Sequence, residues 1–253
     1  MTENDSTNSR VAIITGGGTG IGRATARTMA DEGTDVLIVG RTKSTLLETA
    51  DGRTNIHPLV LDIASAEAPE VIVDTALREL GRIDVLVNNA AVARYASTGE
   101  IDREAANEQF ATNLHAPIFL VQQAIEALAA TGGTVVNIST AGVLGRAWPA
   151  NSIYGASKAA LNFLTRTWAV ELAPRGIRVV GIAPGITDTG IGERMGWSPA
   201  ETATFYEGML PRIPAGRIAG VDEIAWWVLQ FTRPNASYAT GTVLAVDGGA
   251  SIL

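Results

Sequence analysis

The stretch V11-A12-I13-I14-T15-G16-G17-G18-T19-G20-I21-G22 runs a short apolar segment straight into a glycine-rich turn, and R23-A24-T25 then opens a segment of helical period. Apolar residues on successive positions are the pattern of a strand buried on both faces. Glycines at its end let the backbone approach a bulky ligand. A helix that starts there offers its free N–H groups and positive dipole end, which suits a pyrophosphate. Gly16, Gly18, Thr19, Gly20, Ile21 and Gly22 are therefore expected to hold a dinucleotide, although the spacing is G-x-x-x-G-x-G and not G-x-G-x-x-G.

The same alternation continues outward from this stretch. DVLIVG (from Asp35), HPLVLD (from His57), IDVLVN (from Ile83), GTVVNIS (from Gly133), IRVVGIA (from Ile177) and GTVLAVDGG (from Gly241) complete a set of seven strand candidates. Between them lie helical segments such as GRATARTMADEG, EVIVDTALRELG and REAANEQFATNL, with Gly33 and Gly81 as stops for two of them. Strands alternating with helices predict an α/β fold, a doubly wound parallel sheet covered on both faces. One domain spans residues 11–253, after a polar tail over residues 1–10. The longest irregular stretch, about residues 186–216, is expected to be a substrate lid.

Composition narrows the class. A net charge of −7 argues against a nucleic-acid surface, and no apolar run approaches the ~20 residues of a membrane span. The first ten residues, MTENDSTNSR, lack the apolar core of a secretory signal. There is no cysteine, and His57 and His115 are too few for a histidine-rich metal site; both are read as structural. A cytoplasmic, metal-independent protein is expected.

At the end of the second strand candidate stands V39-G40-R41-T42-K43. Dinucleotide folds place an acid about 20 residues after the glycine turn to grip the ribose hydroxyls. Gly40 occupies that place here, and Arg41 and Thr42 follow it. Without the carboxylate nothing repels a 2′-phosphate, and a guanidinium can bind one, so NADP(H) is favoured over NAD(H). Arg41 as a solvated arginine is the alternative. Asp62, followed by Ile63, suits a hydrogen bond to the adenine amino group.

In S152-I153-Y154-G155-A156-S157-K158, a phenol and an ammonium stand four residues apart, one above the other on a helix face. The cation is expected to pull the phenol below its ordinary value near ~10.

With T15-GGGTGIG-22, N88-N89-A90, a hydroxyl after the fifth strand and Y154-GASK-158, the chain resembles the short-chain dehydrogenase/reductase family from Val11 to its end. The Pro184-Gly185 pair, PAGRIAGVDEIA and GTVLAVDGG belong to the same likeness. The resemblance implies a Rossmann-like fold and hydride chemistry on a carbonyl or alcohol. Tyr154 would be the acid or base, and Lys158 would tune it and hold the nicotinamide ribose. Ser139 would bond the substrate oxygen, and Asn113 would hold a relay water. Asn89, Ala90, Ala91, Pro184 and Gly185 would line the cofactor; Thr187 or Thr189 would bind its carboxamide, the PGxxxT spacing favouring Thr189. A homotetramer or dimer is also implied. Asn113 has a feature of its own: in a helix its carbonyl would meet the N–H of residue 117, which is proline and has none.

The departures matter. In N137-I138-S139-T140-A141-G142, counting back from Gly142 selects Ser139 and counting forward from Asn137 selects Thr140; the offset to the glycine favours Ser139. GRAWPANSI (residues 145–153) is longer than usual and is expected to bulge beside the substrate. Ala91 replaces the glycine of NNAG, Val180 stands in place of an asparagine, and Thr19 in place of a basic residue. Arg94, Tyr95, Trp148 and the lid's Ile191, Met195, Trp197, Phe205, Tyr206 and Met209 could wall an apolar pocket. Of Trp226 and Trp227, one should be core and the other should meet a neighbour. The expected function is an oxidoreductase moving a hydride between NADP(H) and a small to medium, fairly apolar carbonyl or secondary alcohol. An NAD(H)-dependent alcohol dehydrogenase, a nucleotide-sensing module and a lyase or epimerase of the same fold are the alternatives.

Overall fold

In the computed structural model, which describes residues 9–145, 148–190, 192 and 196–253, the VAIIT run is β1 (Val11–Thr15), buried along its whole length. Residues 1–8 of the expected tail, Arg146 and Ala147 of the GRAWPANSI stretch, and Ile191 and Met195 of the expected lid lie outside the described residues. The other strands are β2 (Asp35–Gly40), β3 (Ile56–Val60), β4 (Val85–Asn88), β5 (Thr134–Ile138), β6 (Arg178–Pro184), β7 (Thr187–Asp188), β8 (Ala219–Gly220) and β9 (Val243–Val246). The helices that position the site are α1 (Gly20–Asp31), α2 (Lys43–Ala50), α3 (Ala68–Leu80), α4 (Arg103–Phe110), α5 (Ala116–Thr131), α6 (Ser152–Leu172), α7 (Pro199–Met209) and α8 (Val221–Thr232). Seven strands form one parallel sheet in the order β3-β2-β1-β4-β5-β6-β9. Strand order reverses between β1 and β4, and ligands of such sheets bind outside the strand ends at that reversal.

The continuous apolar runs have a direct cause. Ile13, Leu37, Leu86, Val135 and Val179 point to one face, onto α3, α5 and the end of α6. Their chain neighbours Ile14, Ile38, Val87, Val136 and Val180 point to the other, onto α1 and α8. Side chains alternate, but both faces are covered, so the sequence does not. β3 departs from this expectation, with burial alternating along it, because it is an edge strand; Pro58 sits there without costing an interior ladder bond. Trp227 packs on the core while Trp226 is 50% exposed. No helix among the described residues is long and apolar enough to cross a membrane.

Two further departures bear on function. The stretch read as an irregular lid contains α7, started by a capping box in which Ser198 and Glu201 bond each other's backbone. The run Ser198-Pro199-Ala200-Glu201 carries that signal in the sequence. The REAANEQFATNL segment is not one uniform helix: α4 passes through a π turn, Ala111–His115, before α5. The Ala116 N–H donates to the Ala111 carbonyl, and Pro117 follows, so the helix is re-registered where a proline cannot donate.

Candidate active site

Two cavities open at the carboxyl ends of the strands. The first, about 440 Å³, is floored by the glycine turn: Gly16, Gly18, Thr19, Gly20 and Ile21 line it. Gly16 takes φ +67° as the chain leaves β1. A Cβ on Gly18 would stand 2.6 Å from Thr45 Oγ1, and one on Gly22 only 2.2 Å from the Gly16 carbonyl oxygen. Gly22 is therefore a packing glycine beneath the cavity, not part of its wall. Thr19 caps α1 without a side-chain hydrogen bond, so the first-turn N–H groups are not taken up by their own cap. This backbone cradle fits a pyrophosphate. Arg41, Thr42, Asp62, Ile63, Asn89, Ala90 and Ala91 line the same cavity, as does Thr189. Asp62 accepts the Ala64 N–H at 3.0 Å, and Asn89 donates to the Thr15 carbonyl at 2.8 Å, tying β4 to the turn. Thr187 differs: its hydroxyl donates to the Gly185 carbonyl at 3.1 Å, away from this cavity. Sequence reading missed Thr45, Leu46 and Thr112 on the wall, and it missed Glu108, whose carboxylate lies 3.9 Å from Arg41 and 3.5 Å from Arg94.

The second cavity, about 480 Å³, is lined by Tyr154, Thr140 and a largely apolar wall that includes Tyr95, Trp148, Trp197, Phe205 and Met209. Pro184 and Gly185, expected at the cofactor, stand on the wall of this second cavity. The inserted stretch supplies Trp148, Pro149 and Asn151, and the Ala150 carbonyl accepts the Ala96 N–H at 3.0 Å, clipping the insertion to the loop that bears Tyr95. Ala150 takes φ +60°, the left-handed region that costs a non-glycine residue roughly 1–2 kcal/mol. Tyr95 and Tyr154 meet edge to face at 6.0 Å.

Ser139 does not face this cavity. It is buried, and its hydroxyl donates to the Lys158 backbone carbonyl at 3.3 Å. Thr140 is the hydroxyl on the wall, whereas the offset to Gly142 favours Ser139. Successive residues at a strand end point to opposite sides, so one of the pair had to turn away.

Lys158 is buried one turn beyond Tyr154, its Nζ 6.0 Å from the tyrosine ring centre and donating to the Ile138 carbonyl at 2.7 Å. It sits behind the cavity walls and lines neither of them. Burial lowers its pKa to about 8. The same cause pushes the Tyr154 phenol up from its ordinary value, with the Tyr95 phenol adding to it. The expected lowering of the phenol is thus not seen here: the ammonium is committed to a carbonyl, and desolvation dominates. Asn113, fully buried in the π turn, clamps Val92 through both its amide oxygen and nitrogen, each at 2.8 Å, and donates to Ser157 Oγ at 3.1 Å. Ser157 donates in turn to the Tyr154 carbonyl at 2.7 Å, so the π turn fixes the first turn of α6.

A family model described as enoyl-(acyl carrier protein) reductase matches residues 16–251. A 3-oxoacyl-[acyl-carrier-protein] reductase of Thermotoga maritima is 35% identical over 95% of this chain and 97% of its own. An L-xylulose reductase of Mus musculus is 36% identical over 95% of this chain and 96% of its own. The chain belongs to the short-chain dehydrogenase/reductase family. A cofactor-bound short-chain dehydrogenase/reductase of Caenorhabditis elegans superposes with a TM-score of 0.90 at 32% identity, covering 98% of this chain and 97% of that one. A 3-ketoacyl-(acyl-carrier-protein) reductase of Brucella melitensis complexed with NADH superposes at 0.88 with 29% identity, covering 97% of this chain and 100% of that one. As a short-chain dehydrogenase/reductase, the protein is an NAD(P)-dependent oxidoreductase acting on CH–OH donors or the matching carbonyls.

Proposed function

We propose that the protein transfers a hydride between NADP(H) and a carbonyl or secondary alcohol of a small to medium, largely apolar molecule, with Tyr154 as the proton donor or acceptor. The observation that carries this reading is Tyr154 on the wall of an apolar cavity, with Lys158 buried one turn behind it, in a fold that also carries the glycine cradle. The nicotinamide, when bound, supplies the hydride or takes it up. Tyr154 gives its proton to the substrate oxygen as negative charge develops there, and recovers it in the reverse direction. A phenol pushed up by burial is held protonated at neutral pH, which suits reduction. Thr140, in place of Ser139, donates a hydrogen bond to the same oxygen. Lys158 supplies the positive charge that steadies the phenolate once its proton has left. Asn113 has committed its whole side chain to Val92 and Ser157, so its part in a water relay falls to its backbone carbonyl, which Pro117 cannot meet.

NADP(H) is supported by Gly40 and Arg41 at the end of β2, where no carboxylate stands, and Thr189 on the first cavity's wall suits the carboxamide. A homo-oligomer is supported by Phe119, Phe163 and Val170, which are 53%, 63% and 77% exposed on α5 and α6. The test is Tyr154→Phe, assayed on a panel of aryl and alkyl ketones with NADPH. It should lower kcat about a hundred- to ten-thousandfold, while NADPH binding followed by fluorescence persists. A Tyr154→Phe enzyme reducing ketones at the wild-type rate would remove the proposal.

A further inference from the structure

One residue of the second cavity has no part in the chemistry above. Among the cavity's described lining residues Arg212 is the only charged side chain, and none is an aspartate or glutamate. Its guanidinium carbon lies 5.2 Å from the ring centre of Trp148, itself on the wall. Among the described residues Arg212 enters no ion pair, whereas Arg217, just beyond it, holds Glu223 with two bonds of 2.7 Å.

Each of these facts has a physical consequence. A guanidinium held over an indole ring is attracted to it without consuming its N–H donors, so the fork stays available for a planar anion. The protein carries a net charge of −7, so its overall field repels anions, and only a local cation can admit one to this cavity. The rest of the described wall is mainly aromatic and aliphatic, with Tyr95, Trp197, Phe205 and Ile213, and carries no second cation among those residues. A volume of about 480 Å³ lies in the range of small-molecule pockets.

We propose that Arg212 is a specificity-determining residue that binds a carboxylate on the substrate. The substrate class is then an oxo acid with an apolar or aromatic body, its carbonyl at Tyr154 and Thr140 and its carboxylate on the Arg212 fork. This rests on the second cavity being the substrate site of the reaction proposed above.

The experiment compares benzoylpropionate, benzoylbutyrate and benzoylvalerate with their methyl esters, as substrates with NADPH and as ligands that quench tryptophan fluorescence. At one or more chain lengths the wild-type enzyme should favour the acid over its ester, through KM and not kcat. Arg212→Gln should shrink the acid-to-ester ratio about ten- to a hundredfold, the worth of a hydrogen-bonded charge pair. Arg212→Lys should keep part of the ratio, and Arg217→Gln should leave it alone. A wild-type preference for the ester at every length, or a ratio indifferent to Arg212→Gln, overturns the proposal and leaves the reductase reading standing. Acid-selective binding that depends on Arg212, with no turnover of any ketone, upholds the carboxylate site and sinks the reaction instead. Should Arg212→Gln not fold, Arg212→Lys and the loss of the wild-type ratio in high salt decide the same question.

Discussion

Arg41→Ala should weaken NADPH binding about tenfold and leave NADH binding within about twofold, because the side chain can meet the 2′-phosphate and nothing else on the dinucleotide needs it. The size follows from its surroundings. Arg41 lies at the edge of the first cavity with its side chain 62% exposed, and its carboxylate neighbour Glu108 is 3.9 Å away. A long, exposed pair of this kind is worth well under about 1 kcal/mol, so Arg41 leaves Glu108 at little cost. A hydrogen bond to a charged group contributes about 1.5–3 kcal/mol, and exposure places this one at the lower end, or roughly tenfold in Kd. Arg41→Glu adds a like charge facing the phosphate, worth about 1 kcal/mol in a water-like medium, and should deepen the NADPH loss about a further fivefold. Salt near 1 M contracts the screening length to about 3 Å and should erode the wild-type preference. Fluorescence titration with each dinucleotide, at low and high salt, reads all three numbers. Equal losses for NADPH and NADH, or a preference insensitive to salt, would refute the reasoning.

Three further outcomes are expected. Thr140→Val should lower kcat about a hundredfold, whereas Ser139→Ala, which loses only its 3.3 Å bond to the Lys158 carbonyl, should cost about 1 kcal/mol of stability and little activity; paired kcat and urea-melt measurements decide, and a worse kcat in Ser139→Ala would reverse the assignment. Lys158 has its folded-state pKa lowered to about 8, so above that pH the unfolded chain holds a proton the folded chain has released. Stability should therefore rise between about pH 8 and pH 10, by up to about 1 kcal/mol per unit, until the raised Tyr154 begins to oppose it above pH 10. Urea midpoints across that window should rise in the wild type and flatten in Lys158→Met; identical slopes would show that folding does not lower the Lys158 pKa. Gly22→Ala would push a methyl to 2.2 Å from the Gly16 carbonyl oxygen and 2.5 Å from Asn89 Nδ2. Overpacking against backbone costs roughly 1–3 kcal/mol, so the melting temperature should fall and both dinucleotides should weaken alike; an unchanged melt and unchanged binding would mean the turn has slack that the contacts deny.

The elements that could be read from the chain are those whose cause is local. VAIIT and DVLIVG coincide with β1 and β2 because a strand covered on both faces must be apolar at every position, and that shows in five or six residues. Gly33 and Gly81 end their helices in the left-handed region, with φ of +83° and +81°, where glycine meets no steric penalty. The α7 helix is equally legible in Ser198-Pro199-Ala200-Glu201, but the surrounding glycines and prolines mask it.

The strand runs of the sheet, the glycine cradle and the Tyr154–Lys158 spacing are thus written in the chain, since each shows in residues a few positions apart. The rest waited on tertiary contacts. Ser139 and Thr140 differ by one position, and only the placement of β5 against α6 says which hydroxyl reaches the cavity. The rise of the Tyr154 phenol comes from the protein packed around it, a desolvation that no local motif encodes. Glu108 beside Arg41 and Arg212 over Trp148 arise the same way. Their partners lie far along the chain, and contacts between distant segments exist only once the sheet has brought its carboxyl ends together.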